Sequence, residues 1–205
     1  IFATPGSHTV SFKATSSVSD ACFGTITKTI FIADKPIASF KQPSICQGVP
    51  VVFTDSSHSN DGTVVNSWWW NMGNGNLSTI QNPATVYTLA GNPTISLVVR
   101  SANGCVSDTL LKTITVNPKP VAAFTISNNL CEGLPASFVN ASSIASGVID
   151  NYTWLSNNVV LSSLQNPSLL LPAGNQVLQL VVRSANACSS DTFSRLVNIQ
   201  PRPQI

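Results

Sequence analysis

The run Val98-Val99-Arg100-Ser101-Ala102-Asn103-Gly104-Cys105 returns 83 residues later as Val181-Val182-Arg183-Ser184-Ala185-Asn186-Ala187-Cys188. A unit of domain length repeated within one chain marks an array. Arrays serve as spacers or binding stalks, whereas an enzyme pocket is assembled from unlike parts. The repeat extends in both directions. Asp34-Lys35-Pro36-Ile37-Ala38-Ser39-Phe40 is matched by Pro118-Lys119-Pro120-Val121-Ala122-Ala123-Phe124, and Pro201-Arg202-Pro203 starts the phrase again. Ile45-Cys46-Gln47-Gly48 matches Leu130-Cys131-Glu132-Gly133, Gln81-Asn82-Pro83 matches Gln165-Asn166-Pro167, and Ala90-Gly91-Asn92 matches Ala173-Gly174-Asn175. Two full repeats are therefore expected at 36–119 and 120–203. Residues 1–35 read as the back part of an earlier repeat, with Cys22 in the place of Cys105, and 204–205 as the start of the next. The chain reads as a window from a longer protein.

Charged residues make up only 9% and the net charge is +2, so there is no basic footprint for nucleic acid or an anionic membrane. No apolar run approaches the roughly 20 residues of a membrane-spanning helix. Val, Ile, Thr and Ser dominate, and Pro or Gly interrupts them about every ten residues, which is strand-and-turn composition. Val51-Val52-Phe53, Ile95-Ser96-Leu97-Val98-Val99, Ile114-Thr115-Val116 and Val177-Leu178-Gln179-Leu180-Val181-Val182 read as short strands. About seven such runs per repeat predict an all-β chain of antiparallel, immunoglobulin-like β-sandwiches, with no helix beyond about two turns.

In the first full repeat the motifs fall in a particular order. A strand with Phe53 precedes the loop Asp55-Ser56-Ser57-His58-Ser59-Asn60-Asp61-Gly62, and then comes Trp68-Trp69-Trp70-Asn71-Met72-Gly73-Asn74-Gly75. Asn82-Pro83, Tyr87, Gly91 and the alternating Ile95, Leu97 and Val99 follow. This order resembles the polycystic-kidney-disease (PKD) domain, whose hallmark is a Trp-Asp-Phe-Gly-Asp-Gly turn. Here both acidic hallmark positions are Asn and the Phe is Met. In the second full repeat only Trp154 of the hallmark remains, within Tyr152-Thr153-Trp154-Leu155-Ser156-Asn157-Asn158. The added cysteines are similar to those of tandem PKD repeats in very large surface proteins of gliding bacteria that use type IX secretion. That resemblance implies an extracellular, cell-surface adhesin or stalk.

Side chains alternate along a strand, so Trp68 and Trp70 share one face, as do Tyr152 and Trp154. These four are the expected core aromatics. Trp69 points the other way, as the most exposed tryptophan, and is the candidate contact for a sugar or protein ligand; the plain alternative is packing against a neighbouring strand or repeat. Asp55, Asn60 and Asp61 supply hard oxygens in a tight loop and are the candidate calcium ligands. The loop lacks calcium-loop spacing, so a solvated turn is the simpler reading, and no other cofactor is expected. His8 and His58 are the only histidines, no nucleophile–base constellation accompanies them, and catalysis is not expected. Asp108-Thr109-Leu110 resembles the short Asp-Thr/Ser-apolar sequence that such bacteria O-glycosylate after export, which makes Thr109 a candidate modification site; the alternative is an ordinary strand start.

Five cysteines in a strand-rich chain that reads as secreted suggest disulfides. Counting suggests Cys46–Cys105 and Cys131–Cys188, each within one repeat. In a seven-stranded sandwich, however, those positions fall at opposite ends, about 23 Å apart for a seven-residue strand. A bridge from Cys46 to Cys188, between repeats, is the other possibility. Both pairings stand at this point. The chain is accordingly expected to be a non-catalytic stalk or adhesin segment whose partners are neighbouring repeats and a surface polysaccharide or protein. A carbohydrate-binding accessory module of a secreted hydrolase is the alternative.

Overall fold

The computed structural model describes residues 4–15, 17, 23–126 and 130–203, and among them every regular element is a strand. The chain forms two compact units. One comprises Ile1–Gln42, Val52–Ala84 and Thr94–Thr113; the other comprises Pro43–Val51, Thr85–Pro93 and Ile114–Ile205. These units do not coincide with the sequence repeats. Ile45–Cys46 lies parallel to Val116–Asn117, and both belong to the second unit.

In the first unit, Gly6–Thr15 and Phe23–Ile32 pair as a ten-step antiparallel hairpin. Its apolar side chains Val10, Phe12, Phe23, Ile26 and Phe31 are exposed. The main sheet of this unit runs Leu110–Thr113, Thr94–Ser101, Val65–Asn71, Leu77–Ser78. Thr94–Ser101 shows why these residues form a strand. Ile95, Leu97, Val99 and Ser101 are buried, and the residues between them are not. A period of two turns one apolar row inward, and each fully buried aliphatic side chain contributes roughly 1.5–3 kcal/mol. Opposite this row, Trp70 pairs with Leu97, Trp69 with Val98 and Trp68 with Val99. Phe40 and Phe53 close on Trp70, with ring centroids 5.3 Å and 6.2 Å from it.

The second unit holds a sheet ordered Val159–Ser162, Ile149–Ser156, Gly174–Ser184, Phe193–Ile199 and another ordered Phe124–Ile126, Pro135–Asn140, Ser168–Leu170. Its core includes Phe124, Phe138, Tyr152, Trp154, Leu178, Leu180, Val182 and Ile199. Tyr152 pairs with Val182 and Trp154 with Leu180, so the two aromatics face inward together. The Trp-bearing strands of the two units share an irregularity. The ladder shifts register at Arg100/Ser101 in one and at Ile149/Asn151 in the other. In each case the backbone N–H just past the shift, Ala102 or Ala185, donates to a carbonyl before the Trp strand, Val64 or Val148.

Candidate functional site

Three candidate regions arise from the residues singled out by sequence. The first is the outward face of the Trp strand, Val65–Asn71. Trp70 is 2% exposed and Trp69 46% exposed, as alternation requires. Trp68 departs from the expectation of a deeply buried ring. It is only half-buried, although its indole nitrogen is enclosed and has no hydrogen-bond acceptor. The shared face covers Trp70 fully because Phe40 and Phe53 stack on it, whereas Trp68 lies nearer the end where the ladder shifts register. Trp69 borders a shallow groove with Leu77, Ser78, Thr79, Ser96 and Val98. An exposed indole beside small hydroxyl side chains can stack on a sugar ring or a planar side chain.

The second region is the loop from Asp55 to Asp61. Its carboxylates are committed to the loop, to the segment before it and to Gln81. Asp61 accepts hydrogen bonds from the Asp34 N–H at 2.9 Å, the Thr63 N–H at 2.9 Å and the Ser59 hydroxyl at 2.8 Å. The Asp34 N–H above all, then the Thr63 N–H and the Ser59 hydroxyl, hold the Asp61 carboxyl far below the usual carboxylate range. Asp55 accepts from the Ser57 N–H at 3.0 Å and from Gln81 Nε2 at 3.2 Å. Ser57 Oγ accepts from the Ser39 N–H at 3.1 Å, and the His58 and Ile37 backbones exchange hydrogen bonds of 2.7 and 3.1 Å. The arrangement is a clasp that fixes the segment from Asp34 to Ser39. Asn60 and the His58 side chain are exposed. Among the described residues no three His, Cys, Asp or Glu side chains gather as a metal site would require.

The third region surrounds the cysteines. Cys46 and Cys188 form a disulfide across 142 residues of sequence, with Cα atoms 5.5 Å apart. The alternative pairs Cys46–Cys105 and Cys131–Cys188 do not form, and Cys105 and Cys131 are free. The reason is legible within the second unit. Cys131 lies beside Gln200, just past the end of Phe193–Ile199 that pairs with Gly174, whereas Cys188 follows Ser184 at the other end of the same long strand. Eleven residues of strand separate the two ends by about 36 Å, far beyond the roughly 6 Å that a bridge spans. Cys22 lies outside the described residues.

Around the bridge, Lys119 Nζ lies 2.5 Å from Asp191 Oδ1 and the Ser44 hydroxyl donates to the Asn186 carbonyl at 3.4 Å. Lys35 pairs with Asp108 in the corresponding way within the first unit. Sequence reasoning overlooked these pairs. Their signal was a Lys-Pro step opening each full repeat and an aspartate three residues after Cys105 and Cys188. Thr109 is exposed and follows Asp108 at the start of Leu110–Thr113.

Residues 33–116 match the sequence profile of the PKD domain. The chain is 28% identical over 148 residues to the pre-pro-metalloprotease PrtV of Vibrio cholerae, covering 72% of this chain and 16% of that protein. It therefore spans about a sixth of the curated relatives it matches. Among solved structures it is similar to the PKD1 domain of Vibrio anguillarum Epp, at 32% identity over 41% of this chain and 95% of that one, with a TM-score of 0.37. It is also similar to the PKD1 domain of Vibrio cholerae PrtV, at 33% identity over 40% of this chain and 96% of that one, with a TM-score of 0.35. PKD domains are non-catalytic modules that occur in extracellular or secreted proteins. Through residues 33–116, this chain belongs to the PKD domain family.

Proposed function

We propose that this chain is a non-catalytic spacer segment of a large secreted surface protein, built from tandem PKD repeats and acting as a stalk with an adhesive face. The observation that carries this reading is the Cys46–Cys188 bridge, which ties a cysteine of one sequence repeat to a cysteine of the next. A covalent tie between repeats suits a rod under tension, because unfolding under force follows the unfolding rate and a cross-link removes the enclosed chain from the load path. The finer setting, a gliding bacterium with type IX secretion and O-glycosylation at the exposed Thr109, belongs to the same proposal. Pulling single molecules by their two ends tests it. The residues between Cys46 and Cys188 should contribute their contour, roughly 500 Å, only after reductant is added. Equal extension with and without reductant would remove the mechanical reading.

A second reading is favoured by Trp69. Its exposure beside a groove in which Ser78, Thr79 and Ser96 alternate with the apolar Leu77 and Val98 supports a carbohydrate-binding accessory module of a secreted hydrolase. Titration with soluble polysaccharides should then shift tryptophan fluorescence, and Trp69→Ala should abolish the shift. A flat titration across neutral and acidic glycans would end that reading.

A further inference from the structure

The two free cysteines occupy backbone frames that match those of the two bridged ones. At Cys188, Ser184 N–H donates to the Cys188 carbonyl at 2.9 Å, Ala187 N–H to the Ser184 carbonyl at 2.8 Å, and Arg183 Nε to the Ala187 carbonyl at 3.3 Å. At Cys105, Ser101 N–H donates to the Cys105 carbonyl at 2.9 Å, Gly104 N–H to the Ser101 carbonyl at 2.9 Å, and Arg100 Nε to the Gly104 carbonyl at 3.3 Å. Residues 187 and 104 both have positive φ, 67° and 87°. The other pair agrees equally well. Cys46 lies parallel to Asn117 and Cys131 parallel to Gln200. Gln47 and Glu132 N–H donate to those partners' carbonyls at 2.9 Å, and the glycines that follow, Gly48 and Gly133, both have φ of 76°. Cys46 and Cys131 thus occupy one kind of position, a Cys-x-Gly turn. Cys188 and Cys105 occupy another, the close of an Ala-Asn-x-Cys turn. The observed disulfide joins one of each kind.

A second observation points to what Cys105 lacks. Beside the bridge, Lys119 and Asp191 share a groove with Gln47, Gly48 and Thr88, which bring the Cys-x-Gly turn of Cys46 to that place. The matching groove at Lys35 and Asp108 has the same ion pair. Among the described residues it is lined only by the segment from Asp34 to Ala38, Asn60, and Asp108 to Leu110. The Lys–Asp pair is formed and no Cys-x-Gly turn stands beside it. Within each kind of turn the bridged member is the less exposed: Cys188 is 1% exposed where Cys105 is partly exposed, and Cys46 is partly exposed where Cys131 is exposed.

We infer that Cys105 and Cys131 are half-sites of two further disulfides, each formed with an adjoining PKD repeat of the same polypeptide. Cys105 takes the cysteine of a Cys-x-Gly turn, and Cys131 takes the cysteine that closes an Ala-Asn-x-Cys turn. The inference rests on the tandem-repeat reading above. Each bridge forms by two thiol–disulfide exchanges with a donor disulfide of the export pathway. The Cys131 thiolate attacks one donor sulfur, breaks the donor bond and releases the first donor thiol. The partner thiolate then attacks Cys131 Sγ, forms the protein bridge and releases the second. Two cysteine thiols are oxidised, and one donor disulfide leaves as two thiols carrying both protons.

Native full-length protein, treated with N-ethylmaleimide before unfolding and digested without reduction, tests this by mass spectrometry. The expected result is no maleimide on Cys105 or Cys131, with each peptide linked to a cysteine peptide of the complementary turn type from the same chain. Maleimide addition at either thiol, a small-thiol cap, a link between turns of the same type, or a link between two copies seen as a dimer on a non-reducing gel would each overturn it. The Cys46–Cys188 peptide distinguishes the two levels of failure. Found alongside free Cys105 and Cys131, it leaves the stapled-stalk reading standing and only this inference falls. If it is absent as well, both fall.

Discussion

The aromatic trio of Phe40, Phe53 and Trp70 and that of Phe124, Phe138 and Trp154 share one construction and differ in one polar group. Ring centroids lie 5.3 and 6.2 Å from Trp70 in the first, and 5.0 and 5.3 Å from Trp154 in the second. Trp154 Nε1–H donates to the Leu164 carbonyl at 2.8 Å, whereas Trp70 Nε1–H is buried without an acceptor. The turns that follow differ more. After Trp70, Gly73 and Gly75 take positive φ of 68° and 91°. After Trp154, Asn157 and Asn158 take 47° and 66° and link Ser156 to Val159 as a two-residue hairpin loop. Hairpins closed this tightly need positive φ at both loop positions, which asparagine tolerates better than other side-chain-bearing residues. The packed trio and the alternating strands are thus common to both units, whereas the turns after the tryptophans have in common only their left-handed backbone.

Comparing the bridged Cys188 turn with the free Cys105 turn gives the largest expected effect. The bridge closes 142 residues, and chain-entropy reasoning assigns it about 5 kcal/mol. Replacing both Cys46 and Cys188 by Ser should lower the urea midpoint of the second unit to that of the reduced wild type. Cys105→Ser should leave it unchanged. An unchanged midpoint in the double variant would break the distinction between the two turns.

The trios come next. Trp70→Ala and Trp154→Ala should each cost about 3–5 kcal/mol. The polar difference is sharpened by Phe. Trp154→Phe should cost about 1 kcal/mol more than Trp70→Phe, because the Leu164 carbonyl loses its donor. Equal losses in chemical denaturation would erase the contrast.

At the turns, Asn158→Val should cost about 1–3 kcal/mol, since a β-branched side chain strains left-handed backbone. Asn158→Gly should be neutral or stabilising. If thermal melts show Val tolerated, the turn does not require the backbone seen here.

Trp69→Ala should change stability by less than about 0.5 kcal/mol, as expected of a mostly surface side chain. A loss near that of Trp70→Ala would contradict the strand register.

The smallest effect concerns Asp61. Its folded pKa is depressed, so its stabilisation is present above the unfolded carboxylate pKa near 4 and is lost as pH falls below that value. Asp61→Asn should flatten the acid limb of the stability profile and leave the neutral limb parallel to wild type. An identical acid limb would remove the clasp from the account.

Strand class, repeat period, the alternating row Ile95, Leu97 and Val99, and the outward placement of Trp69 were all legible in the chain, because side-chain alternation is a local rule. So was the Asp55-to-Asp61 loop, though its task was not. Its carboxylates look like free ligands in sequence, but backbone N–H groups from Asp34, Ser57 and Thr63 engage them only after folding. The half-burial of Trp68 was equally out of reach, since it depends on where Phe40 and Phe53 come to rest.

What the sequence determined by itself is the repeat, and with it the recurrence of each turn and each cysteine. Only the tertiary structure decided which cysteines meet. Pairing depends on which ends of distant strands come within about 6 Å, and no local pattern encodes a separation of 142 residues. The same holds for the compact units, whose boundaries fall where long-range pairing, such as Ile45–Cys46 with Val116–Asn117, gathers segments that the sequence keeps apart.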